Sequence, residues 1–349
     1  MRNIMGRILR RLSTTLFLPF LLGLPALDAG VQAAPAVREI RIAVPDLSAG
    51  AQPSGNGVVD VLREQRILEK EFAADGVEVR WNFFKGAGPA INESLANGQV
   101  DFAFLGDLGA IIGKSNGLDT RLLTAVTRNA RMYLAVLPGS GIRTLGDLKG
   151  KRVAVFRGTA YQLSFDAALA SQGLQERDLQ VISLDASAAN AALAAKQIDA
   201  TWAGAGLIVL RQRGLAELPL NTDDLGGAGS VQSVLIGNGA FVDGHPELTA
   251  RLVRAQQQAV AWLRNGENKQ AYIELVSRLA SYPSGLLQTD LADANFSERF
   301  SPALDRGFLA QLQASVDLAL RQRLIRKGFD VQGWVDDRFL KQAVGQQSQ

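Results

Sequence analysis

Three glycine corners hold the residues best suited to chemistry in this chain. Gly86-Ala87-Gly88 precedes an apolar stretch with Ile91 and Leu95, and Leu105-Gly106-Asp107 closes a buried-looking run. Arg157-Gly158-Thr159-Ala160-Tyr161 joins a strand pattern to a helical one. In open α/β sheets a ligand sits beyond the carboxyl ends of the strands, where helix N-termini point unpaired N–H groups. Such an end carries partial positive charge and suits an anion, and glycine lets the backbone approach closely. Gly86, Gly88, Gly106, Asp107, Gly158, Thr159, Ala160 and Tyr161 are therefore candidate solute contacts. Asp46, Arg128 and Trp202 join them from neighbouring strand ends.

Each of these positions also has a purely structural explanation. Gly-Thr before a helix is an ordinary N-cap, and Asp107 can cap its own helix or touch a ligand. Arg157 is either a solvated cation or an anion contact. Arg128 and Asn129 fall between two strand patterns, where a hinge or an exposed cleft would each account for them. Trp202 and Tyr161 pack either on a ligand or in the core.

Signatures of turnover are sparse. The sole histidine, His245, precedes Pro246-Glu247-Leu248 and reads as a helix start. The chain has no cysteine, which excludes thiolate metal sites, Cys–His catalysis and a disulfide framework. Phosphate-loop, Gly-X-Ser-X-Gly and His-Glu-X-X-His patterns do not occur. Neither a cofactor, a metal nor an enzymatic activity is expected.

The elements that must position these corners alternate. Ile40, Ile42 and Val44 give a strand closed by Pro45-Asp46, then come a Gly/Ser-rich loop (48–57) and an amphipathic stretch from Val58 to Phe72. Strands are expected at 77–84, 101–105, 121–127, 132–137, 152–156, 181–184, 200–203 and 231–236. Helices are expected after Gly86-Ala87-Gly88-Pro89, after Asp107, and at 144–148, 160–171 and 187–196, with a mostly helical tail from Pro246. Such alternation implies parallel strands covered by helices. The fold class is α/β with two lobes, each a mostly parallel sheet flanked by helices. Lobe I is expected at 38–128 plus 233–349 with the tail, and lobe II at 129–232, with crossings near 127–132 and 231–236. No internal repeat is evident.

At 349 residues and 47% hydrophobic, the chain can bury one sizeable core or two modest ones. Its net charge is +3, but Arg2, Arg7, Arg10 and Arg11 against Asp28 lie in the first 33 residues, so the remainder is neutral. A neutral surface gives no case for nucleic acid. The basic start, the apolar run from Leu12 to Leu27 and the small residues to Ala33 follow the order of a secretory signal. Residues 1–33 are expected to be cleaved on export to the periplasm, by ordinary secretion rather than the twin-arginine route. Nothing later has the length and apolarity of a membrane span.

Several of these segments resemble one known group. Gly86-Ala87-Gly88-Pro89 with Glu93-Ser94-Leu95, and Val100-Asp101-Phe102-Ala103-Phe104-Leu105-Gly106-Asp107, resemble the first lobe of the ABC-transporter solute-binding proteins for aliphatic sulfonates, taurine and nitrate. Ile142 to Ala154 is similar to that group's entry into the second lobe. Arg157-Gly158-Thr159, Ala189 to Leu193, Ile198-Asp199-Ala200 and His245-Pro246-Glu247-Leu248 continue the likeness. Two segments depart from it. Ala203-Gly204-Ala205-Gly206 stands where sulfonate binders carry a Trp-Asp-Pro-like segment, and the loop from Asp46 to Gly57 is longer and richer in Gly and Ser.

The resemblance implies a type II-like periplasmic binding protein that closes two lobes on a small anionic solute and delivers it to an inner-membrane permease, working as a monomer. It places the anion on the amides of Gly158, Thr159 and Ala160 with help from the Thr159 hydroxyl, facing a wall of Gly88, Gly106 and Asp107. The same fold also serves binders of taurine, nitrate, amines or pyrimidine precursors, and enzymes of the thiamine-pyrimidine synthase type.

Overall fold

Short β-rich runs and amphipathic stretches build two five-stranded sheets in the computed structural model, which describes residues 37–347 apart from 49 and 51. The expected leader, 1–33, lies outside the described residues. The first sheet starts with β1 (Glu39–Pro45), β2 (Glu78–Phe84), β3 (Phe102–Gly106) and β4 (Thr120–Ala130). The second holds β5 (Tyr133–Val136), β6 (Arg152–Val155), β7 (Gln180–Ser183), β8 (Ala200–Ala203) and β9 (Glu217–Asn221). The chain then returns to the first sheet as β10 (Val231–Asn238). The orders are β2-β1-β3-β10-β4 and β7-β6-β8-β5-β9. In each sheet one strand, β10 or β5, runs against its neighbours.

Helices flank the first sheet as α1 (Gly57–Glu64), α2 (Ile67–Phe72), α3 (Ala87–Ala96) and α4 (Asp107–Ser115), and the second as α5 (Ala160–Ser171), α6 (Ala186–Ala194) and α7 (Leu207–Gln212). The tail adds α8 (Gly239–Gly244), α9 (Pro246–Arg264), α10 (Lys269–Ala280), α11 (Ser284–Asp290), α12 (Phe296–Arg299), α13 (Arg306–Arg321) and α14 (Arg338–Gln347). His245 caps α9 ahead of Pro246 and lies 4.9 Å from the Phe241 ring. The tail packs back on the first lobe, α9 lying on α1 and α2.

Some elements differ from expectation for identifiable reasons. The stretch 58–72 breaks where Arg66 takes a left-handed φ of 52°, so it forms two helices. The segment Glu217–Asn221, which contains Pro219, is a strand that the sequence analysis did not include. It is an edge strand, where a missing N–H costs no ladder bond. The second crossing lies at 222–230, since β10 pairs with β3 and β4 from Val231 onward.

The two sheets repeat one strand order, and short sequence segments correspond between them, a repeat that the sequence alone was not expected to hold. Asn92 to Gly106 aligns with Asn190 to Gly204 at a constant offset, matching Leu95, Ala96, Gln99, Asp101 and Gly106 with Leu193, Ala194, Gln197, Asp199 and Gly204. Arg41-Ile42-Ala43-Val44 of β1 likewise matches Arg152-Val153-Ala154-Val155 of β6. Each half carries one clamp. The Arg41 backbone amide and Nε donate to Asp101 Oδ2 at 2.8 and 3.1 Å, and Nη2 to Oδ1 at 2.6 Å. Arg152 repeats this on Asp199 at 2.8, 3.2 and 2.9 Å. A second guanidinium N–H caps the Gly98 carbonyl in one half and the Lys196 carbonyl in the other, both left-handed residues that end a helix.

The chain between the lobes is tightly held. Asn129, with φ 51°, exchanges hydrogen bonds with the Gln232 amide. Arg131 pairs with Asp223 and donates to the Asp290 carbonyl, while the Tyr133 hydroxyl donates to the Asp290 carboxylate at 2.7 Å. Among the described residues no helix is long and apolar enough to cross a membrane.

The two clamps differ in exposure, the Asp101 side chain being 6% exposed and the Asp199 side chain 26%. Asp101→Ala should therefore cost about 2 kcal/mol, since the Arg41 backbone amide loses a buried charged acceptor, and Asp199→Ala about 1 kcal/mol. Urea midpoints with unchanged m-values check this, and equal losses would contradict it.

Candidate functional site

The strand orders carry the ends of β3 and β6 to one interlobe seam, where main chains meet. A Cβ built on Gly106 would lie 2.7 Å from Ala160 Cβ, and one on Gly88 would lie 2.8 Å from the Gly158 carbonyl oxygen. Gly158, with φ 74°, faces Pro89 in the same way, at 3.0 Å. Gly86 is exposed at the start of α3, and Ala87 has a left-handed φ of 46°, which bends the chain sharply before Gly88.

The start of α5 supplies the donors. Thr159 Oγ1 donates to the Phe156 carbonyl at 2.7 Å and accepts the Tyr161 amide at 3.3 Å. The hydroxyl expected to assist the anion is therefore engaged as the helix cap. The Gly158 amide, also expected there, donates to Gln162 Oε1 at 2.9 Å. Among the described residues the amides of Thr159 and Ala160 have no acceptor. Arg157 pairs with Glu176 at 2.7 Å.

Two tyrosines, one of them the second residue of α5, neighbour each other. Tyr161 is half-buried, its hydroxyl has no hydrogen-bond partner among the described residues, and burial raises its pKa. Tyr282, which sequence reasoning missed, donates to the Leu47 carbonyl at 2.8 Å. Burial first, then the neighbouring Tyr161 and Asp46, raise its pKa. Gly204 and Gly206 lie beside the rings, a Cβ on either coming to ordinary contact, 3.4 Å, with Tyr161 Oη or Tyr282 Oη. Asp46 reaches this group after β1, its Oδ1 accepting the amides of Ser48 and Ser54 at 3.0 and 3.3 Å.

Three expected contacts are engaged elsewhere. Trp202 is 1% exposed in the second-lobe core, 5.7 Å from Phe165, and its indole N–H donates to Ser164. Arg128 clamps the tail, pairing with Asp305 at 2.7 Å and donating to the carbonyls of Ser301 and Ala303. The Asp107 side chain accepts the Leu108 amide at 2.7 Å and lies against Ser315 and the Gln232 amide. Burial pushes its pKa up to about 7 against those hydrogen bonds. These positions looked alike in sequence because a polar or aromatic residue at a strand end serves cleft and core equally well.

The two free amides and the Tyr161 hydroxyl are hydrogen-bond donors that can hold a solute. Among the described residues no group of three acidic or histidine side chains gathers to hold a metal.

The profile of the family described as NMT1/THI5-like matches residues 72–268. A protein of Bacillus subtilis (strain 168), named as an aliphatic sulfonates-binding protein, is 25% identical over 317 residues, 89% of this chain and 90% of its own length. Among solved structures, a periplasmic sulfonate-binding protein of an ABC transporter from Methylobacillus flagellatus KT has a TM-score of 0.77 at 26% identity, covering 89% of this chain and 95% of that one. The alkanesulfonate-binding protein of Xanthomonas axonopodis pv. citri bound to MOPS has a TM-score of 0.72 at 24% identity over 87% of this chain and all of its own; it shows the fold alone. These likenesses bear out the resemblance read from the motifs and the two-lobed fold.

Gly106 has ordinary extended backbone, φ −67° and ψ 152°, so Gly106→Ala adds no strain and only pushes on Ala160. Its expected effect is about tenfold weaker solute binding with little change in unliganded stability, and Ala160→Gly should restore affinity in the double variant. Calorimetric titration of the four proteins measures the coupling; additive effects would show that the lobes do not meet at this point when the solute is held.

Proposed function

Because the chain belongs to the NMT1/THI5-like family, we propose that it is the periplasmic solute-binding component of an ABC importer, capturing a small sulfonate-like organic anion between its lobes and passing it to an inner-membrane permease. The observation that carries this reading is the pair of amides at Thr159 and Ala160, without acceptors among the described residues, at the start of a twelve-residue helix whose second residue, Tyr161, has a hydroxyl without a partner there. Three donors and a helix dipole hold an anion without a cation. The named functions of the Bacillus and Methylobacillus relatives point to the same class of solute. Gly88 and Gly106 form the opposite wall, and Asp107 contributes backbone alone. Asp46 beside Tyr282 favours a solute whose far end donates a hydrogen bond, as the amine of an aminosulfonate does.

The moving bodies in this proposal are residues 38–128 with 233–349, and residues 129–232, which divide at the left-handed Asn129. Solute touching both bodies favours the closed form by its extra affinity for that form. The leader 1–33 would export the chain, which would then act as a monomer without a cofactor and without turnover.

Ala160→Pro is the sharpest test. Ala160 is the first residue of α5, where proline is tolerated, and Thr159 before it is already extended, with φ −117° and ψ 167°. The substitution deletes one free amide and leaves the cap. A melting screen over alkanesulfonates, taurine, nitrate and pyrimidines should first find a stabilising solute, worth about 2.7 kcal/mol at a hundredfold excess over Kd. Ala160→Pro should then bind that solute at least about tenfold more weakly. Undiminished affinity in the folded variant would remove the anion from this helix end.

A further inference from the structure

One segment of the tail touches both lobes. After α10, Ser281 turns the chain with a left-handed φ of 58°, and the Tyr282 hydroxyl donates to the Leu47 carbonyl of the first lobe. The same hydroxyl faces Gly206 of the second lobe, where a Cβ would come to 3.4 Å. Helix α11 follows, with Leu286 and Leu287 buried, and its last residue, Asp290, reaches the second lobe. The Asp290 carboxylate accepts the Tyr133 hydroxyl of β5 at 2.7 Å, and its carbonyl accepts Arg131 Nη1 at 3.2 Å.

A carboxylate only 3% exposed needs donors to offset the water it has lost. Among the described residues Asp290 has two side-chain partners. One is the Tyr133 hydroxyl; the other is Arg299 of α12, whose Nη2 lies 3.8 Å from Oδ2. The nearer partner is the one on the other lobe. Tyr133 is buried too, at 7% exposed. Burial, then the Asp290 charge, raise its pKa, so the hydroxyl stays a donor.

We infer that Tyr133 and Asp290 form a latch between the lobes: positioning residues outside the solute site, whose hydrogen bond is made in the closed form, is broken in the open one, and slows solute release. The inference rests on the proposed closure of residues 129–232 against the rest of the chain.

The position of Tyr133 gives the bond this character. Arg131 adjoins Asn129 and Ala130, where the moving bodies divide, and its long side chain can follow a small rotation. Tyr133 stands three residues beyond Ala130, inside a strand, and its ring has two torsions. Stretched by about an ångström, the contact with Asp290 is no longer a hydrogen bond. Opening then leaves the buried carboxylate to Arg299 and incoming water, which disfavours the open form. A solute that binds the closed form gains affinity as that form becomes more populated. The gain lies in slower release, because the solute enters through the open form, where the bond is absent.

The test compares unaltered protein with Tyr133→Phe, which keeps the ring and deletes the donor, and Asp290→Asn, which keeps an acceptor without its charge. The chain has no cysteine. Spin labels at Glu93→Cys and Arg177→Cys, exposed residues of α3 and of the turn before β7, therefore report the separation of the lobes without solute. Unaltered protein should show a short and a long distance. Tyr133→Phe should shift the ratio about tenfold toward the long one, and Asp290→Asn about threefold. Ethanesulfonate should leave Tyr133→Phe about five- to tenfold faster at an unchanged association rate. A bond that only stabilises the fold would lower the melting temperature and move neither distances nor release. Equal distance distributions in unaltered protein and Tyr133→Phe would overturn the latch, as would unchanged release beside a shifted ratio. A shifted ratio in a protein that does not bind ethanesulfonate would support the latch and overturn the sulfonate reading. If Tyr133→Phe does not fold, Asp290→Asn decides by the same distances.

Discussion

Two main chains come within van der Waals reach only where side chains stay out of the way, and the seam between the lobes meets that condition at Gly88, Gly106 and Gly158. The other features of the site depend on this approach. It brings the start of α5 against the wall formed by β3 and α3, so a solute held there would lose water on both sides. Amide-to-anion bonds gain strength as water leaves. A larger residue at Gly106 would separate the lobes and return these amides to solvent, however well each lobe folded by itself.

The repeat explains the scaffold and also shows where symmetry is abandoned. Both halves share a strand order and an Arg–Asp clamp at the turn into the third strand. After the first strand they diverge. In the first half, Pro45-Asp46 leads into a long loop, and α1 begins at Gly57, whose amide donates to the Tyr272 hydroxyl at 3.0 Å. In the second half, Phe156-Arg157 passes through two residues directly into α5, whose first amide has no protein acceptor. One helix start is closed by the tail and its counterpart is left open. The acid at position 46 and the base at position 157 occupy matching places, the first bound to the amides of its own loop and the second paired with Glu176.

Strand and helix positions were legible in sequence because their patterns are local. Ala160–Ser171 and Ala200–Ala203 were expected with their observed bounds, and the corners at Gly88, Gly106 and Gly158 were found from glycine at strand ends. Long-range partners left no such local pattern. Tyr282 lies more than two hundred residues from Leu47, which it anchors. Gln162 looked like an ordinary helix residue, although it takes the Gly158 amide. Trp202 and Arg128 misled for the converse reason: their residue types suit a binding site, and only packing shows that Ser164 and the 301–305 segment already hold them. The repeat was not read from the sequence, because its identities are scattered among changed residues and gain meaning only from the paired clamps.

The arrangement around Asn129 has a mechanical consequence. Arg128 is fastened to the tail at Ser301, Ala303 and Asp305, while Arg131 is fastened to Asp223 and to the Asp290 carbonyl. Between these two anchors remain Asn129 and Ala130, so any swivel of the first crossing is confined to a couple of torsion angles. If the lobes close on a solute as proposed, a joint that short would act like a pin with one axis and bring them back to one register.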